Sequence, residues 1–472
     1  MNNKKITHML ILMSSMFMAL IIYLTVTDLY YRDEYTSSNF NTRNAVRETN
    51  TLRGTVFDRN GTKLAFTSET DGRLKRDYPY GNLYSHVIGY SSSTYGKSLV
   101  EAAYNNELLG KSDFISVSNI KNMISGEKKH GKNITLTIDH ELQKRANALM
   151  GRYNGSVVAL SPKTGEILAM VSKPDFNPDE DYLSKNWETL SDNENSPFLT
   201  RATMGLYPPG STFKVLTTAS MLDNGMENHV VDDSKGFINI GDKDISNAGK
   251  VYYGNTDLAL GFKKSSNVFF ADASMKMNSE MLQNTAESFM FNKKIGIKFP
   301  YNKSKFNFGK MSEAERAVTG IGQGKTLVTP LHLALIAGAV ANDGKMMKPH
   351  IVADVFSGDF RTPSVKKSVI NECISFEHAS EIKNLMAESV KSGTGTYAQI
   401  YGIEVCGKTG TAENEKTSDD PGKTHAVFIG FAPKDNPEIA VSVVLEYAGS
   451  SGGAIAAPVA REVMKKFFEL NK

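Results

Sequence analysis

The hydrophobic pattern of the chain begins with a segment long enough to cross a membrane. Residues 6–27 carry no Asp, Glu, Lys or Arg and consist mostly of Met, Leu, Ile, Phe and Ala. A helix of about 20 residues, at ~1.5 Å per residue, covers the ~30 Å hydrocarbon core of a bilayer. Lys4 and Lys5 precede the segment and Asp28 follows it, so the positive-inside tendency predicts a cytoplasmic N-terminus. We therefore predict a cytoplasmic tip and one transmembrane helix within residues 1–28.

A cleavable signal peptide is the alternative interpretation of this segment. The apolar stretch is long, however, and no Ala-x-Ala cleavage pattern follows it. An uncleaved anchor is the better interpretation, and it leaves the rest of the chain outside the cytoplasm. A polar stretch at 30–50, rich in Asn, Thr, Arg and Ser, is interpreted as a stalk.

Beyond the anchor, helical and strand periodicities are mixed. Residues 55–57 and 63–67 predict a hairpin, because Asn60-Gly61 between them suits a left-handed turn. The nearly continuous apolar run at 441–445 is typical of a central, buried strand. Helical patterns occur at 99–109, 139–150, 211–224, 256–276, 312–319, 329–342, 376–391 and 456–470, and strand patterns at 134–138, 155–160, 166–171, 405–412, 426–432 and 439–446.

These elements predict an α+β fold, in which an antiparallel sheet carries helices on its faces and a helical lobe beside it. The 472 residues are too many for one typical domain. We place a membrane-proximal pedestal domain, small and extended, at residues 29–150. The chemistry-bearing domain then occupies residues 151–472.

Composition and charge exclude several classes of function. The net charge is only +3, from 54 basic and 51 acidic side chains that are interspersed, so the chain lacks the basic field of a nucleic-acid binder. None of the nine histidines stands at metal-ligand spacing. Gly320-Ile321-Gly322-Gln323-Gly324 resembles a dinucleotide loop but lacks the preceding strand and the following acidic residue. No metal, cofactor or nucleic-acid partner is therefore predicted.

Only Cys373 and Cys406 are present. In an exported chain they have the opportunity to form a disulfide, but two buried, inert thiols are the preferred interpretation. His425, which lies between a loop and a strand, is interpreted as a surface or structural residue and not as a catalyst.

The most informative pair is Ser211 and Lys214, at the start of a predicted helix that follows Pro208-Pro209-Gly210. Residues at i and i+3 share one helix face, with Cβ atoms roughly 5–6 Å apart, so Lys214 is expected to reach the Ser211 oxygen. A lysine acts as a base only when it is neutral, which requires burial or nearby positive charge. The first turn of the helix also offers free N–H groups to a developing oxyanion.

Two further motifs complete the set. Ser265-Ser266-Asn267 and Lys408-Thr409-Gly410-Thr411 follow in this order along the chain. Each motif alone is common, but the three together predict one acyl-transfer site that uses a serine nucleophile and no histidine. Lys408 would supply the positive charge that lowers the pKa of Lys214.

With these motifs, the chain resembles the class B penicillin-binding proteins, which are monofunctional peptidoglycan D,D-transpeptidases. The resemblance extends over nearly everything beyond the anchor. It is also carried by Arg-Gly-Thr-Val-Phe-Asp-Arg-Asn-Gly at 53–61, Val-Val-Ala-Leu at 157–160 with Thr-Gly-Glu-Ile-Leu-Ala-Met at 164–170, Gly-Gln-Gly at 322–324 with Val-Thr-Pro-Leu at 328–331, and Lys-Thr-Gly-Thr-Ala-Glu at 408–413. It implies a transpeptidase domain of the β-lactamase-like fold.

The resemblance implies a role for each matching residue. Ser211 would be acylated by the stem peptide and Lys214 would accept its proton. Ser265 would relay a proton to the leaving amine, and Asn267 would hydrogen-bond the substrate amide and the lysine. Lys408 and the hydroxyls next to Gly410 would hold the terminal carboxylate of D-Ala-D-Ala. That carboxylate site consists of Lys408, Thr409, Gly410 and Thr411, and the backbone N–H groups of Ser211 and Thr411 would form the oxyanion hole.

The resemblance also implies partners and leaves alternatives. Stem peptides would serve as donor and amine acceptor, β-lactams would trap the serine, and a SEDS-family glycan polymerase would be the membrane partner. One alternative passes the acyl group to water, as a D,D-carboxypeptidase or β-lactamase does. Another is a scaffold or β-lactam receptor without turnover. Residues 96–101 lack the second glycine of the family's Gly-x-x-Gly-x-Glu, so the local backbone there is not predicted.

Overall fold

The computed structural model describes residues 3–37, 51–70, 72–110, 129–241, 243–307, 309–358, 360–363, 367–417, 420 and 422–471. The α-helices of this part are α1 (Asn3–Ser37), α2 (Leu99–Ala103), α3 (Asn105–Leu108), α4 (His140–Leu149), α5 (Glu180–Ser191), α6 (Arg201–Met204), α7 (Lys214–Asp223), α8 (Leu258–Lys264), α9 (Asn267–Lys276), α10 (Ser279–Ser288), α11 (Glu313–Gly320), α12 (Pro330–Ala341), α13 (Phe376–Ser392) and α14 (Gly452–Leu470).

The strands are β1 (Thr51–Leu52), β2 (Val56–Phe57), β3 (Lys63–Thr70), β4 (Arg73–Asp77), β5 (Ser91–Ser92), β6 (Gly96–Lys97), β7 (Lys129–His130), β8 (Asn133–Leu136), β9 (Gly155–Leu160), β10 (Ile167–Lys173), β11 (Val231–Asp233), β12 (Phe237–Ile240), β13 (Lys243–Ser246), β14 (Gly254–Thr256), β15 (Lys345–Met347), β16 (Val352–Ser357), β17 (Phe360–Pro363), β18 (Val369–Glu372), β19 (Cys406–Ala412), β20 (His425–Ala432) and β21 (Ile439–Leu445).

The central sheet of the C-terminal region has five antiparallel strands in the order β10-β9-β21-β20-β19. β21 lies in the middle, and all of its residues are buried, which confirms the prediction from the apolar run at 441–445. A strand covered on both faces is apolar on both faces, so it shows no alternation in sequence. β19, which carries Lys408 to Thr411, forms one edge of the sheet.

Helices cover both faces of this sheet. α4 and α14 pack on one face and α12 packs on the other. The lobe formed by α7 to α11 shares a hydrophobic core with α12. Every residue of α12 is buried, and Ser442 Oγ on β21 donates a hydrogen bond to the carbonyl oxygen of Pro330 at 2.7 Å. The predicted α+β arrangement, with an antiparallel sheet, covering helices and a helical lobe, is confirmed.

The predicted helix at 256–276 is two helices, α8 and α9. Ser265 between them has φ +58° and ψ +41°, a left-handed conformation that ends α8. The Ser266 hydroxyl then accepts a hydrogen bond from the Phe269 N–H and caps α9. Helical periodicity continues across the break, which explains why the pattern alone predicted one helix.

The N-terminal region that follows α1 is built on a second, mixed sheet in the order β17-β16-β8-β2-β3-β4. β2 and β3 form the predicted hairpin, and β2 runs parallel to β8. The outer strands β16 and β17 come from far along the chain, between α12 and α13, and β16 pairs with β8 in antiparallel register. The C-terminal region thus contributes a hairpin to the sheet of the N-terminal region, which sequence periodicity did not indicate.

α1 contains a segment, Lys4–Tyr30, that is long and apolar enough to cross a membrane. The predicted stalk overlaps the end of α1, and its remaining residues, 38–50, lie outside the described residues. Cys373 and Cys406 are both free and buried, as preferred from the sequence. Burial raises the pKa of the Cys373 thiol to about 12, so this group is an inert thiol at neutral pH.

A buried ion network holds the N-terminal region that follows α1 together. Both oxygens of the fully buried Glu101 carboxylate are paired, with Arg53 Nε at 2.5 Å and with Arg76 Nε at 2.7 Å. Arg53 also donates to Asn105 Oδ1 at 2.6 Å. Burial by itself raises the pKa of Glu101, but the charges of the two arginines outweigh it and hold the pKa below its usual value.

We expect Glu101→Ala to lower the free energy of unfolding by roughly 3–5 kcal/mol, because it leaves two buried guanidinium groups without their counter-charge. Denaturant unfolding of the full chain in detergent measures this loss. The matched control is Glu188→Ala at an exposed position of α5, where the change should stay within about 0.5 kcal/mol. Equal effects of the two substitutions would show that the ion network around Glu101 does not stabilise the fold.

Candidate active site

The nucleophile candidate, Ser211, lies in a 3-10 turn, Gly210–Phe213, that leads directly into α7. Gly210 has φ +53°, and a Cβ atom there would lie 2.7 Å from the carbonyl oxygen of Thr411. Only glycine combines this conformation with this contact. The turn therefore sits against β19, and the first and third sequence motifs are in contact.

Ser211 is half-buried. Among the described residues, neither its amide N–H nor its hydroxyl has a hydrogen-bond partner. A free N–H in the first turn of a helix is the donor that an oxyanion requires. The free hydroxyl is equally open to a substrate.

Lys214 is fully buried. Its Nζ lies 2.7 Å from the carbonyl oxygen of Ser265, 3.2 Å from Ser265 Oγ and 2.7 Å from Asn267 Oδ1. The sequence predicted that this amine would reach Ser211, but the structure directs its hydrogen bonds to the second motif. The left-handed backbone of Ser265 explains the arrangement, because it presents the carbonyl and the hydroxyl of one residue to the same amine.

Lys408, from the third motif, also contacts the Ser265 hydroxyl. Its Nζ lies 2.8 Å from Ser265 Oγ and 3.2 Å from the carbonyl oxygen of Thr409. The Ser265 hydroxyl therefore bridges two buried amines. Lys408 also lies over the Phe262 ring, with Nζ 5.7 Å from the ring centroid.

The environment disfavours the charged form of both amines. Burial, and secondarily the charge of Lys408, lowers the pKa of Lys214 well below its usual value. Burial lowers the pKa of Lys408 from 10.5 to about 7. Two ammonium groups this close repel each other in a low dielectric. A neutral Lys214 beside a charged Lys408 relieves the repulsion, and this is the state in which Lys214 serves as a base.

A buried polar network fixes the second motif from behind. Ser266 Oγ donates to Asp233 Oδ2 at 2.9 Å, and Asn247 Nδ2 donates to the same oxygen at 2.7 Å. Asn247 Oδ1 accepts from the backbone N–H of Asn267 at 2.8 Å. Asp233 and Asn247 come from β11 and from the turn after β13, and no spacing in the sequence linked them to the site.

The third motif runs along β19. A Cβ atom at Gly410 would lie 2.9 Å from the carbonyl oxygen of Pro209, so glycine lets the strand approach the nucleophile turn. Thr411 is exposed. Thr409 is buried, and its hydroxyl shares a 2.7 Å hydrogen bond with the hydroxyl of Thr394. Thr394, in the loop after α13, is a second neighbour that the sequence did not indicate.

The structure thus brings all three motifs to one cleft between the sheet edge and the helical lobe. The residues that meet there are Ser211, Lys214, Ser265, Asn267, Lys408, Thr409, Gly410 and Thr411. They are the full set of candidates that the sequence predicted.

The comparisons with known proteins identify the family. The model of the penicillin-binding protein transpeptidase domain matches residues 155–465. This chain belongs to the penicillin-binding protein family. The model of the penicillin-binding protein A dimerisation domain matches residues 53–134. The resemblance to class B penicillin-binding proteins is therefore confirmed.

Curated relatives and solved structures agree with the family models. Peptidoglycan D,D-transpeptidase PbpA of Mycolicibacterium smegmatis is 32% identical over 465 residues, covering 93% of each chain. Peptidoglycan D,D-transpeptidase MrdA of Acinetobacter baumannii is 29% identical over 82% of this chain and 66% of its own length. Penicillin-binding protein A of M. tuberculosis, solved as a ceftriaxone acyl-enzyme complex, matches with a TM-score of 0.83 at 29% identity, covering 89% of this chain and 98% of that one.

We expect the rate of acylation by benzylpenicillin to follow a bell-shaped pH profile. Rising pH first removes the proton from Lys214, which increases the rate as the base forms. Burial lowers the pKa of Lys408 to about 7. Above this pH Lys408 loses the charge that attracts the carboxylate of benzylpenicillin, and the acylation rate falls. Stopped-flow acylation measured across this pH range gives both limbs.

Lys408→Met should remove the descending limb and move the ascending limb to higher pH, since the charge of Lys408 contributes to lowering the pKa of Lys214. Lys434→Met, which removes a lysine paired with Glu404 away from the cleft, is the matched control and should keep the wild-type profile. A descending limb that persists in Lys408→Met would show that another group controls it.

Proposed function

We propose that this chain is a peptidoglycan D,D-transpeptidase that cross-links stem peptides through an acyl-enzyme on Ser211 and is inhibited by β-lactams. The observation that carries the proposal is the pair of buried amines joined by the Ser265 hydroxyl, beside a serine whose hydroxyl and N–H are free. The family adds support, because M. tuberculosis penicillin-binding protein A has been solved as acyl-enzymes with ceftriaxone, imipenem and penicillin G.

In the acylation step, Ser211 Oγ attacks the carbonyl carbon between the two D-alanines, and its proton passes to neutral Lys214. The N–H groups of Ser211 and Thr411 hold the oxyanion. Removal of one such donor in other enzymes typically costs about 10²–10³ in rate. The carbon–nitrogen bond then breaks, the Ser265 hydroxyl delivers a proton to the leaving D-Ala amine, and an ester to Ser211 remains.

The geometry supports the second part of the proton's path, from Lys214 to Ser265. Lys214 Nζ lies 3.2 Å from Ser265 Oγ, so the proton taken from Ser211 passes to Ser265 as Ser265 gives up its own. In the second step, the amine of a neighbouring stem peptide attacks the ester. Its proton returns along the same path to Ser211 Oγ, the ester bond breaks, and the new amide is the cross-link.

The terminal carboxylate of the donor is assigned to the beginning of the β19 motif. Lys408 supplies positive charge there, and Thr409 and Thr411 supply hydroxyl groups. Because the Thr409 hydroxyl is already hydrogen-bonded to Thr394, Thr394 supports this group by holding its orientation. Asn267 accepts from Lys214 through Oδ1 and donates through Nδ2 to the carbonyl oxygen of Ser246 at 2.8 Å. The second proton of Nδ2 would hydrogen-bond the donor peptide.

The membrane arrangement is also part of the proposal. α1 would cross the membrane once, with the N-terminus in the cytoplasm and the catalytic region outside, since Lys4 and Lys5 precede the apolar segment. Residues 29–150 would form the pedestal domain and residues 151–472 the transpeptidase domain. A SEDS-family glycan polymerase would contact the anchor and the pedestal.

Two other functions remain as alternatives. With water as the acceptor, the same site would act as a D,D-carboxypeptidase or β-lactamase. Class D β-lactamases share Ser-Thr-Phe-Lys but have Ser-x-Val where this chain has Asn267, which disfavours that alternative. A non-catalytic scaffold would not need the depressed pKa of Lys214, whereas a β-lactam receptor would need the same base and would differ in lacking turnover.

We expect benzylpenicillin to add one covalent acyl group to the wild-type chain and none to Ser211→Ala, because the substitution removes the attacking oxygen. Intact-mass spectrometry of the full chain in detergent measures the adduct. Ser220→Ala is the matched control. It removes a buried hydroxyl on α7 that has no hydrogen-bond partner, so acylation should be retained.

The lifetime of the adduct separates a transpeptidase from a β-lactamase. A transpeptidase should hold the penicilloyl ester for many minutes, whereas a β-lactamase releases it rapidly and accumulates hydrolysed drug. If the Ser211→Ala variant formed the same covalent adduct as the wild type, Ser211 would be excluded as the nucleophile.

A further inference from the structure

A separate cavity lies beside the nucleophile turn, at the end of β19 that is farther from Lys408. Its volume is about 580 Å³. Pro208 and Gln323 line it next to the turn, and its polar lining includes Glu415, His425, Glu446 and Tyr447. None of the roles assigned above uses these side chains.

Glu446 presents a carboxylate oxygen to this cavity. Its side chain is only 10% exposed, and its Oε1 accepts hydrogen bonds from Arg201 Nε at 2.7 Å and from the Tyr207 hydroxyl at 2.6 Å. Among the described residues, Oε2 has no hydrogen-bond partner, and it is not shielded from the cavity. A carboxylate oxygen that is accessible only from a cavity, and that lacks a donor, is a binding group for a ligand that brings one.

His425 provides a second, independent group. The sequence predicted a surface or structural residue and not a catalyst. The side chain is 4% exposed and lines the cavity, which excludes the surface position. Its Nδ1 accepts a hydrogen bond from the Tyr447 N–H at 3.1 Å, so the ring proton is on Nε2. Within the described chain Nε2 has no partner. This unpartnered N–H, on a ring more than nine-tenths buried, is available to a carbonyl oxygen of a ligand.

The charge of the lining favours a cation. Three carboxylates line the cavity, those of Glu413, Glu415 and Glu446, and none of the lining residues is a lysine or arginine. Arg201 offsets the charge of Glu446 in part, and Lys416 lies over the outer face of the Tyr447 ring. Glu415 accepts from the Tyr447 hydroxyl at 2.6 Å, which fixes the carboxylate at the rim.

The direction of β19 relates this cavity to the substrate. In the proposed reaction, the terminal carboxylate of the donor lies near Lys408 and the reacting carbonyl near Thr411. The acyl part of the donor therefore continues past Thr411 toward Glu413, which is roughly 7 Å further along at ~3.3 Å per residue. The residue before D-Ala-D-Ala, with a side chain of lysine length, spans roughly this distance.

We propose that this cavity binds the side-chain ammonium group of the donor residue that immediately precedes D-Ala-D-Ala, with Glu446 and Glu415 receiving the ammonium group and His425 Nε2 donating to a donor carbonyl. This assignment rests on the proposed transpeptidase function. It makes the cavity a specificity site for a donor peptide with a cationic side chain.

The attacking amine of the acceptor is a poorer occupant. An attacking amine must approach the ester from the side that the leaving D-Ala amine has vacated, because both form or break a bond at the same carbonyl face. That side is toward Lys408. The cavity lies on the opposite, acyl side, so the group that it receives belongs to the donor.

The test compares two probes that differ only in this charge, Nα-acetyl-L-Lys-D-Ala-D-Ala and Nα,Nε-diacetyl-L-Lys-D-Ala-D-Ala. Each is used to slow the labelling of Ser211 by a fluorescent penicillin in the full chain. In the wild type, we expect the free-amine peptide to compete at a concentration about fivefold lower, since a partly buried ion pair contributes more than an exposed one. Glu446→Gln should bring the ratio close to one.

Glu446→Gln removes the charged partner of Arg201, so its fold stability is also affected, and Glu415→Gln therefore serves as a second variant. Glu415→Gln should reduce the ratio of the two competing concentrations in part. Each ratio is normalised to labelling of the same variant without peptide. Glu388→Gln, at an exposed position of α13, is the matched control and should retain the wild-type ratio. Equal competition by the two peptides in the wild type, or none by either, overturns the cavity assignment. Absence of labelling at Ser211 instead overturns the proposed function.

Discussion

The site depends on the contact of two buried lysine amines with one serine hydroxyl. Lys214 and Lys408 are both fully buried, and Ser265 Oγ lies 3.2 Å from one Nζ and 2.8 Å from the other. Burying two amines disfavours charge on both, and their mutual repulsion means that a proton gained by one is opposed by the other. This constraint lowers the pKa of Lys214 and lets it act as a base. The cluster forms only when the three sequence motifs, which are distant along the chain, come into contact.

The surrounding fold provides that meeting through close backbone contacts and a rigid support. Gly210 and Gly410 let the nucleophile turn and the edge strand touch, where any Cβ atom would lie less than 3.0 Å from a carbonyl oxygen. On the other side, Asp233 and Asn247 hold the start of α9 through buried hydrogen bonds. The sheet and the helical lobe thus fix the amines from opposite sides of the cleft.

The position of β19 at the edge of the sheet determines how an extended substrate lies in the cleft. A strand at the edge of a sheet offers an extended substrate a line of backbone along which to lie, with the carboxylate end at Lys408 and the acyl end toward Glu413. The cavity with Glu446 and His425 lies at that second end. The reacting site and the proposed specificity cavity therefore follow one another along β19. The direction of this strand determines which group of the substrate reaches which side chains.

The sequence by itself determined the features that depend on local spacing. These are the apolar anchor, the placement of Ser211 and Lys214 one helical turn apart, the buried strand at 441–445 and the identity of the three motifs. Only the tertiary structure decided the left-handed break at Ser265, the direction of the Lys214 amine, the pairing of β16 with β8, the support by Asp233 and the burial of His425. The physical reason is that periodicity records which face of an element is buried, whereas these features arise from contacts between residues that are distant in sequence.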